Sequence, residues 1–130
     1  GGFPSRADAY AAYHGRGVFR SWPDAALDAY LAGGLVDAAD GVALACAPAF
    51  EAATFRAVSP HIEAALAAVP APFALIAGEH GSTVRDAELA AFAAHPRCRG
   101  ASRLPGTSHF VPLEAPDAVR SAILKVTAAD

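Results

Sequence analysis

At 130 residues the chain has the length of one domain with one core, and 54% apolar residues are enough to fill it. A formal net charge of −3 and a pI near 5.9 argue against a nucleic-acid partner, since no basic stripe is present. Arg97, Arg99 and Arg103 come nearest to one, and their spacing reads as the solvated face of a strand. Roughly a quarter of the residues are alanine, which bury little area each, so the large side chains must define the interior. Cys46 and Cys98 lack CxxC spacing and read as buried free thiols of a reducing, cytoplasmic compartment. The histidines at 14, 61, 80, 95 and 109 form no HxxxH pair, so no metal site is expected. Residues 64–78 are the least polar stretch, but Pro70 and Pro72 interrupt it and it is too short to span a membrane. Nothing at the N-terminus resembles a signal peptide. The opening Gly1-Gly2-Phe3-Pro4 and the lack of any methionine read as a processed or truncated piece of something longer.

Ser5 reads as the N-cap of a first helix through Tyr13, with Asp8 three residues on and Gly15 as its stop. A second helix starts at Ser21-Trp22-Pro23-Asp24, places Leu27, Tyr30 and Leu31 on one face, and ends at Gly33-Gly34. Leu35 to Cys46 has the pattern of a hairpin with Asp40-Gly41 as its turn. Pro48 opens a third helix through Phe50, Thr54 and Phe55, and Pro60 a fourth through Ile62, Leu66 and Val69. In isolation, this half reads as a small helical layer whose aromatics are core.

At Pro72 the texture changes. Phe73 to Ala77 is a continuous apolar run between Pro72 and Gly78, the pattern of a strand buried on both faces. A helix capped by Ser82 or Thr83 follows, with Leu89, Phe92 and Ala93 on one face and His95-Pro96 as its close. A second strand runs from about Cys98 to Leu104, then a loop, then a final helix from Pro116. These lengths predict a right-handed parallel βαβα unit, whose ligand crevice lies beyond the carboxyl ends of the strands. Glu79 to Gly81 and Gly106 to His109 both fall at that edge.

The loop Gly106-Thr107-Ser108-His109-Phe110 sets a histidine in a glycine-led turn just past a strand, with Phe110, Val111 and Leu113 as an apolar underside. Histidine titrates near neutrality and suits general-base work; the plain alternative is a surface-loop histidine with no task.

The last sixty or so residues resemble the C-terminal half of an α/β-hydrolase. The resemblance rests on Pro72-Phe73-Ala74-Leu75-Ile76-Ala77-Gly78-Glu79, on Gly106 to Phe110, and on Glu114-Ala115-Pro116 leading into Asp117-Ala118-Val119. Phe3-Pro4-Ser5, Phe19-Arg20-Ser21-Trp22, Asp40-Gly41 and Cys46-Ala47-Pro48 also look like the tail of a lid. The resemblance implies a partial α/β-hydrolase fold: lid helices and a small hairpin over residues 1–69, then the βαβα part of the core over 70–130. It implies a serine-type hydrolase acting on a small ester or similar activated substrate, with His109 as general base and no cofactor. Phe19, Trp22, Tyr30 and Phe55 would line an apolar substrate pocket. The usual acid position is occupied by Gly81, which leaves Glu79 or a carboxylate outside the chain to orient His109. Asp86 reads as support for the start of its helix. No two glycines stand four apart, so the chain has no G-x-S-x-G elbow, and the missing N-terminal half of the protein would supply the nucleophile. Two alternatives stay open: a non-catalytic relative that binds a small ligand, and a βαβα module that packs on a partner chain.

Overall fold

The computed structural model describes residues 2–57 and 61–128. Contacts divide the chain into two units, residues 1–60 and 61–130. The fourth helix lies in the second of these units. Pro60, its expected start, lies outside the described residues.

The first unit begins with a two-residue strand, β1 (Gly2–Phe3), followed by helix α1 (Arg6–Tyr13). Ser5 caps α1 as its sequence demands: its Oγ accepts from Asp8 N–H at 3.1 Å and donates to the Asp8 carboxylate at 2.6 Å. Helix α2 (Asp24–Gly34) buries Leu27 and Leu31 and leaves Tyr30 39% exposed, so two of the three expected face positions enter the core. Its last carbonyls, which a helix end leaves unpaired, are met partly by Arg6, whose Nη1 donates to Leu31 O at 2.9 Å and Leu35 O at 3.2 Å. Strands β2 (Leu35–Ala38) and β3 (Gly41–Leu44) form the hairpin, with Ala39 and Asp40 as its turn and Gly41 as the first residue of the return arm. The sheet order is β1-β3-β2, antiparallel throughout. The sequence gives no signal for β1, which is too short to show a period.

Ala9, Leu27, Leu31, Leu35 and Val42 form the buried cluster of this unit, with Phe3, Tyr10, Tyr13, Phe19 and Leu44 packed around it. Complete burial of a leucine such as Leu27 stabilises by about 1.5–3 kcal/mol. Helix α3 (Pro48–Arg56) starts at Pro48 as expected, yet it buries no residue. Phe50 and Phe55 are 70% and 74% exposed, so the reading of the aromatics as core fails for these two. Cys46 is also exposed and Cys98 only half-buried, against the expectation of buried thiols. Cys46 sits in the bend between β3 and α3.

The second unit comprises α4 (Ile62–Ala67), β4 (Phe73–Gly78), α5 (Asp86–Ala93), β5 (Cys98–Leu104), a single-turn α6 (Val111–Glu114) and α7 (Pro116–Thr127). Strands β4 and β5 pair in parallel, from Phe73 opposite Cys98 to Gly78 opposite Leu104, with Arg99 bulged between the first two pairs. Helix α5 packs on both strands, and so does α7. The expectation that β4 is buried on both faces is not met. Only Ala77 and Gly78 are buried; Phe73, Leu75 and Ile76 are half-covered and Ala74 is exposed. Two strands with these helices cannot enclose both faces of a sheet.

The start of α5 also differs from expectation. Neither Ser82 nor Thr83 caps it: Ser82 Oγ accepts from Val84 N–H at 3.2 Å, a local turn, and the N-cap is Arg85. Glu88 Oε2 accepts from Arg85 N–H at 2.9 Å, the reciprocal half of a capping box. Arginine is only a donor and cannot return the bond, so its guanidinium pairs with the same carboxylate. This hydrogen bonding holds the Glu88 carboxyl below its ordinary pKa and Arg85 above its own.

Gly41 has φ +127°, and a Cβ placed there would lie 2.2 Å from Phe3 O and 2.6 Å from Pro4 O. Gly41→Ala must therefore displace β1 as well as strain its own backbone. We expect it to lower stability by about 2 kcal/mol or more, read as a fall in melting temperature with faster amide exchange at Val42 and Ala43. An unchanged melting temperature would show that β1 contributes nothing to the first unit.

Candidate active site

The carboxyl ends of β4 and β5 are joined by backbone contacts that leave no room for larger residues. After Leu104 the chain turns at Gly106, whose φ is +72°. Thr107, only 6% exposed, donates from Oγ1 to Leu104 O at 2.8 Å and accepts from His80 N–H at 3.0 Å through its carbonyl. Gly106 N–H donates to Glu79 Oε2 at 2.8 Å. At Gly78 the approach is closest: a Cβ there would lie 1.8 Å from Ser108 O and 3.2 Å from His109 N. The residue that ends β4 thus has to be glycine for the His109 loop to sit where it does.

His109 itself is exposed, with its ring edge-on to Phe110 at 5.6 Å. Just beyond it, Val111 is 4% exposed and anchors the loop from below, the role expected of this apolar underside. His109 borders a groove of about 550 Å³ whose walls include Ile76, Val84, Val111, Val119 and Ile123. Apolar walls with a few polar groups at the edge are the usual form of a small-molecule site.

Glu79 is placed otherwise than as a partner of His109. Its carboxylate takes the Gly106 N–H and lies 3.4 Å from His80 Nε2; none of the described hydrogen bonds joins it to His109. Gly81 adopts φ +61° and has open space around its Cβ position, so the usual acid position holds only a turn. Asp86 accepts from Arg103 Nη2 at 2.7 Å. Arg103 is therefore not the solvated strand residue expected from its spacing. Its guanidinium also donates to Gly78 O at 2.7 Å and Val84 O at 3.0 Å, tying the strand end to the loop that leads into α5. Arginine suits this place because its planar fork of donors can meet several oxygens at once, which the spacing of the sequence does not show.

In the first unit Phe19, Trp22 and Tyr30 come together, with ring centroids 4.9 Å (Phe19–Trp22), 5.5 Å (Phe19–Tyr30) and 5.5 Å (Trp22–Tyr30) apart. Trp22 is buried within this cluster, whereas Tyr30 remains accessible. Burial, followed by Tyr13 and Glu51, pushes the Tyr30 phenol above its ordinary pKa. Phe55 joins none of the described ring contacts. Among the described residues no group of three or more His, Cys, Asp or Glu is placed to hold a metal ion, and no helix is long and apolar enough to cross a membrane.

Parallel β4 and β5, the helices packed on them and a histidine loop at their carboxyl ends make up a partial α/β-hydrolase fold. A solved protein that shares it is E-2-(acetamidomethylene)succinate hydrolase, whose crystal structure matches with a TM-score of 0.85 at 23% identity. The match covers 99% of this chain and 47% of that one, so this chain spans about half the length of that hydrolase. No protein-family model matches the sequence, and no curated protein sequence does.

The Gly78 contact can be tested directly. Gly78→Ala should push the Ser108 carbonyl outward and shift the amide signals of Ser108, His109 and Phe110 while those of α1 and α2 keep their positions. Unmoved loop signals in a folded variant would mean that the loop is not seated on Gly78.

Proposed function

We propose that this chain is the lid-end and C-terminal part of a serine-type α/β-hydrolase, cytoplasmic in location, which cleaves a small ester or similarly activated substrate. The observation that carries the reading is the placement of His109: exposed, on a glycine-turned loop past the end of β5, and bordering an apolar groove. The name of the similar structure, a hydrolase of E-2-(acetamidomethylene)succinate, supports a hydrolytic reaction.

In this reading His109 takes the proton from a serine hydroxyl as it attacks the substrate carbonyl, then returns it to the leaving group. The serine and the oxyanion donors come from the missing N-terminal half of the same protein, because no elbow sequence occurs here. Glu79 acts on the loop rather than on the ring, since its carboxylate is already engaged by Gly106 and His80. The carboxylate that orients His109 then also lies outside this chain. Phe19 and Tyr30, with Phe55, would supply the apolar wall of the lid, and Trp22 would brace it from within.

A second reading, a non-catalytic relative that binds a small ligand, is favoured by Gly81 in the usual acid position. A fluorophosphonate probe separates the two, because only an activated serine is labelled.

In the protein expressed in full from its gene, we expect labelling by that probe and hydrolysis of p-nitrophenyl esters. His109→Gln should reduce turnover about 10³-fold or more, and Glu79→Gln far less, about tenfold. Turnover of His109→Gln within tenfold of the parent would overturn the base assignment. An equal loss in Glu79→Gln would make Glu79 the orienting acid. The 130-residue chain by itself should show no saturable ester hydrolysis.

A further inference from the structure

Glu114 ends the single-turn helix α6 and reaches back six residues to Ser108. Its Oε2 accepts from Ser108 N–H at 2.5 Å and its Oε1 from Ser108 Oγ–H at 2.6 Å. The second distance is that of a charge-assisted O–H···O⁻ bond, the strong kind. Ser108 Oγ, having donated its proton, accepts in turn from Phe110 N–H at 3.2 Å. One carboxylate thus fixes the residue before His109 directly and the residue after it through a hydroxyl. On the opposite side Gly78 closes against the Ser108 carbonyl, so the loop is held from two directions.

A single backbone turn does not require this much. Val111 already anchors the loop by burial, and Thr107 closes the turn on Leu104. What the Glu114–Ser108–Phe110 relay adds is restraint of the peptide units on either side of one exposed residue, His109. Ser108 is at the same time removed from nucleophilic work, because its hydroxyl is committed to Glu114.

We infer that Glu114, acting through Ser108, is a positioning residue that holds the His109 backbone in its working orientation. The inference rests on His109 being the general base. A displacement of about 1 Å in such a group can cost about 10²-fold in rate. A loss of this kind falls on turnover rather than on substrate binding.

The test uses the protein expressed in full from its gene, with histidine labelled by ¹³C. The ring Cε1–H signal of His109 is assigned by its disappearance in His109→Gln. Glu114→Gln keeps the shape of the side chain but replaces one acceptor oxygen with a donor. Ser108→Ala removes the hydroxyl relay, and Ser108→Thr retains it. In Glu114→Gln and Ser108→Ala we expect the His109 ring signal to broaden or split, and in Ser108→Thr to match the parent. On p-nitrophenyl butyrate, kcat should fall about 10- to 100-fold in the first two variants with KM within twofold. Should Glu114→Gln fail to fold, Ser108→Ala and its Thr counterpart carry the comparison.

A ring signal unchanged in both folded variants would overturn the inference whatever the activity. So would a disturbed ring with kcat unchanged while His109→Gln is inactive. If the ring is disturbed and His109→Gln hydrolyses like the parent, the base reading falls and with it the positioning role, while Glu114 remains the anchor of its loop. If the parent hydrolyses no ester, the proposed function fails by itself, and the ring signal alone decides whether Glu114 restrains His109.

Discussion

The arrangement at the strand ends depends on a hydrogen atom where any other residue would place a carbon. Gly78 closes β4 with its Cα against the carbonyl of Ser108, and a methyl group there would lie 1.8 Å from that oxygen. The contacts that join the two strand ends surround this approach. His80 reaches Thr107 through backbone, Glu79 reaches Gly106 through its side chain, and Arg103 crosses from β5 to the Gly78 carbonyl. Each of these bonds spans the gap between the two strand exits, and each has the right length only while the gap stays narrow.

Charged side chains near the candidate site work mainly on backbone rather than on one another. Glu79, Arg103 and Glu114 all address peptide N–H or C=O groups of the loops that flank the parallel pair. Loops of this kind carry polar backbone without the ladder partners that strands provide, and a buried unpaired group costs about 1–3 kcal/mol. Charges on these side chains therefore serve first to satisfy the loops, while His109 stays exposed at the groove.

Much of this was legible in the sequence, for identifiable reasons. Ser5, Pro48 and Pro116 mark helix starts through chemistry that acts within one turn, and the helices begin within a residue of those signals. The apolar run from Phe73 gave the strand, and the spacing of elements gave its parallel partner. Signals that depend on distant neighbours were lost. The close contact at Gly78 needs Ser108, thirty positions on, and β1 is recognisable only through its pairing with Val42 and Ala43. The start of α5 lies later than Ser82 and Thr83 suggest, because a second residue, Glu88, also offers N-terminal chemistry. Glu88 prevails because it reaches the Arg85 N–H, whereas Ser82 closes on its own turn. Glu114 could be read only as part of a motif, since the sequence does not say which way its carboxylate turns.

The two units have very different interiors. Residues 1–60 enclose a continuous set of large apolar side chains centred on Leu27 and Leu31, while among the described residues of 61–130 the buried apolar ones are Ala77 and Val111. Such an inequality bears on cooperativity. A single unfolding free energy describes a chain only where its parts unfold together, and unequal cores work against that. The segment with the thinner interior opens first and at lower cost, and it is the segment that carries His109. Amide exchange would then be slow at α2 and fast at α7. The fluctuations that loosen α7 would admit a ligand to the groove that its Val119 and Ile123 line.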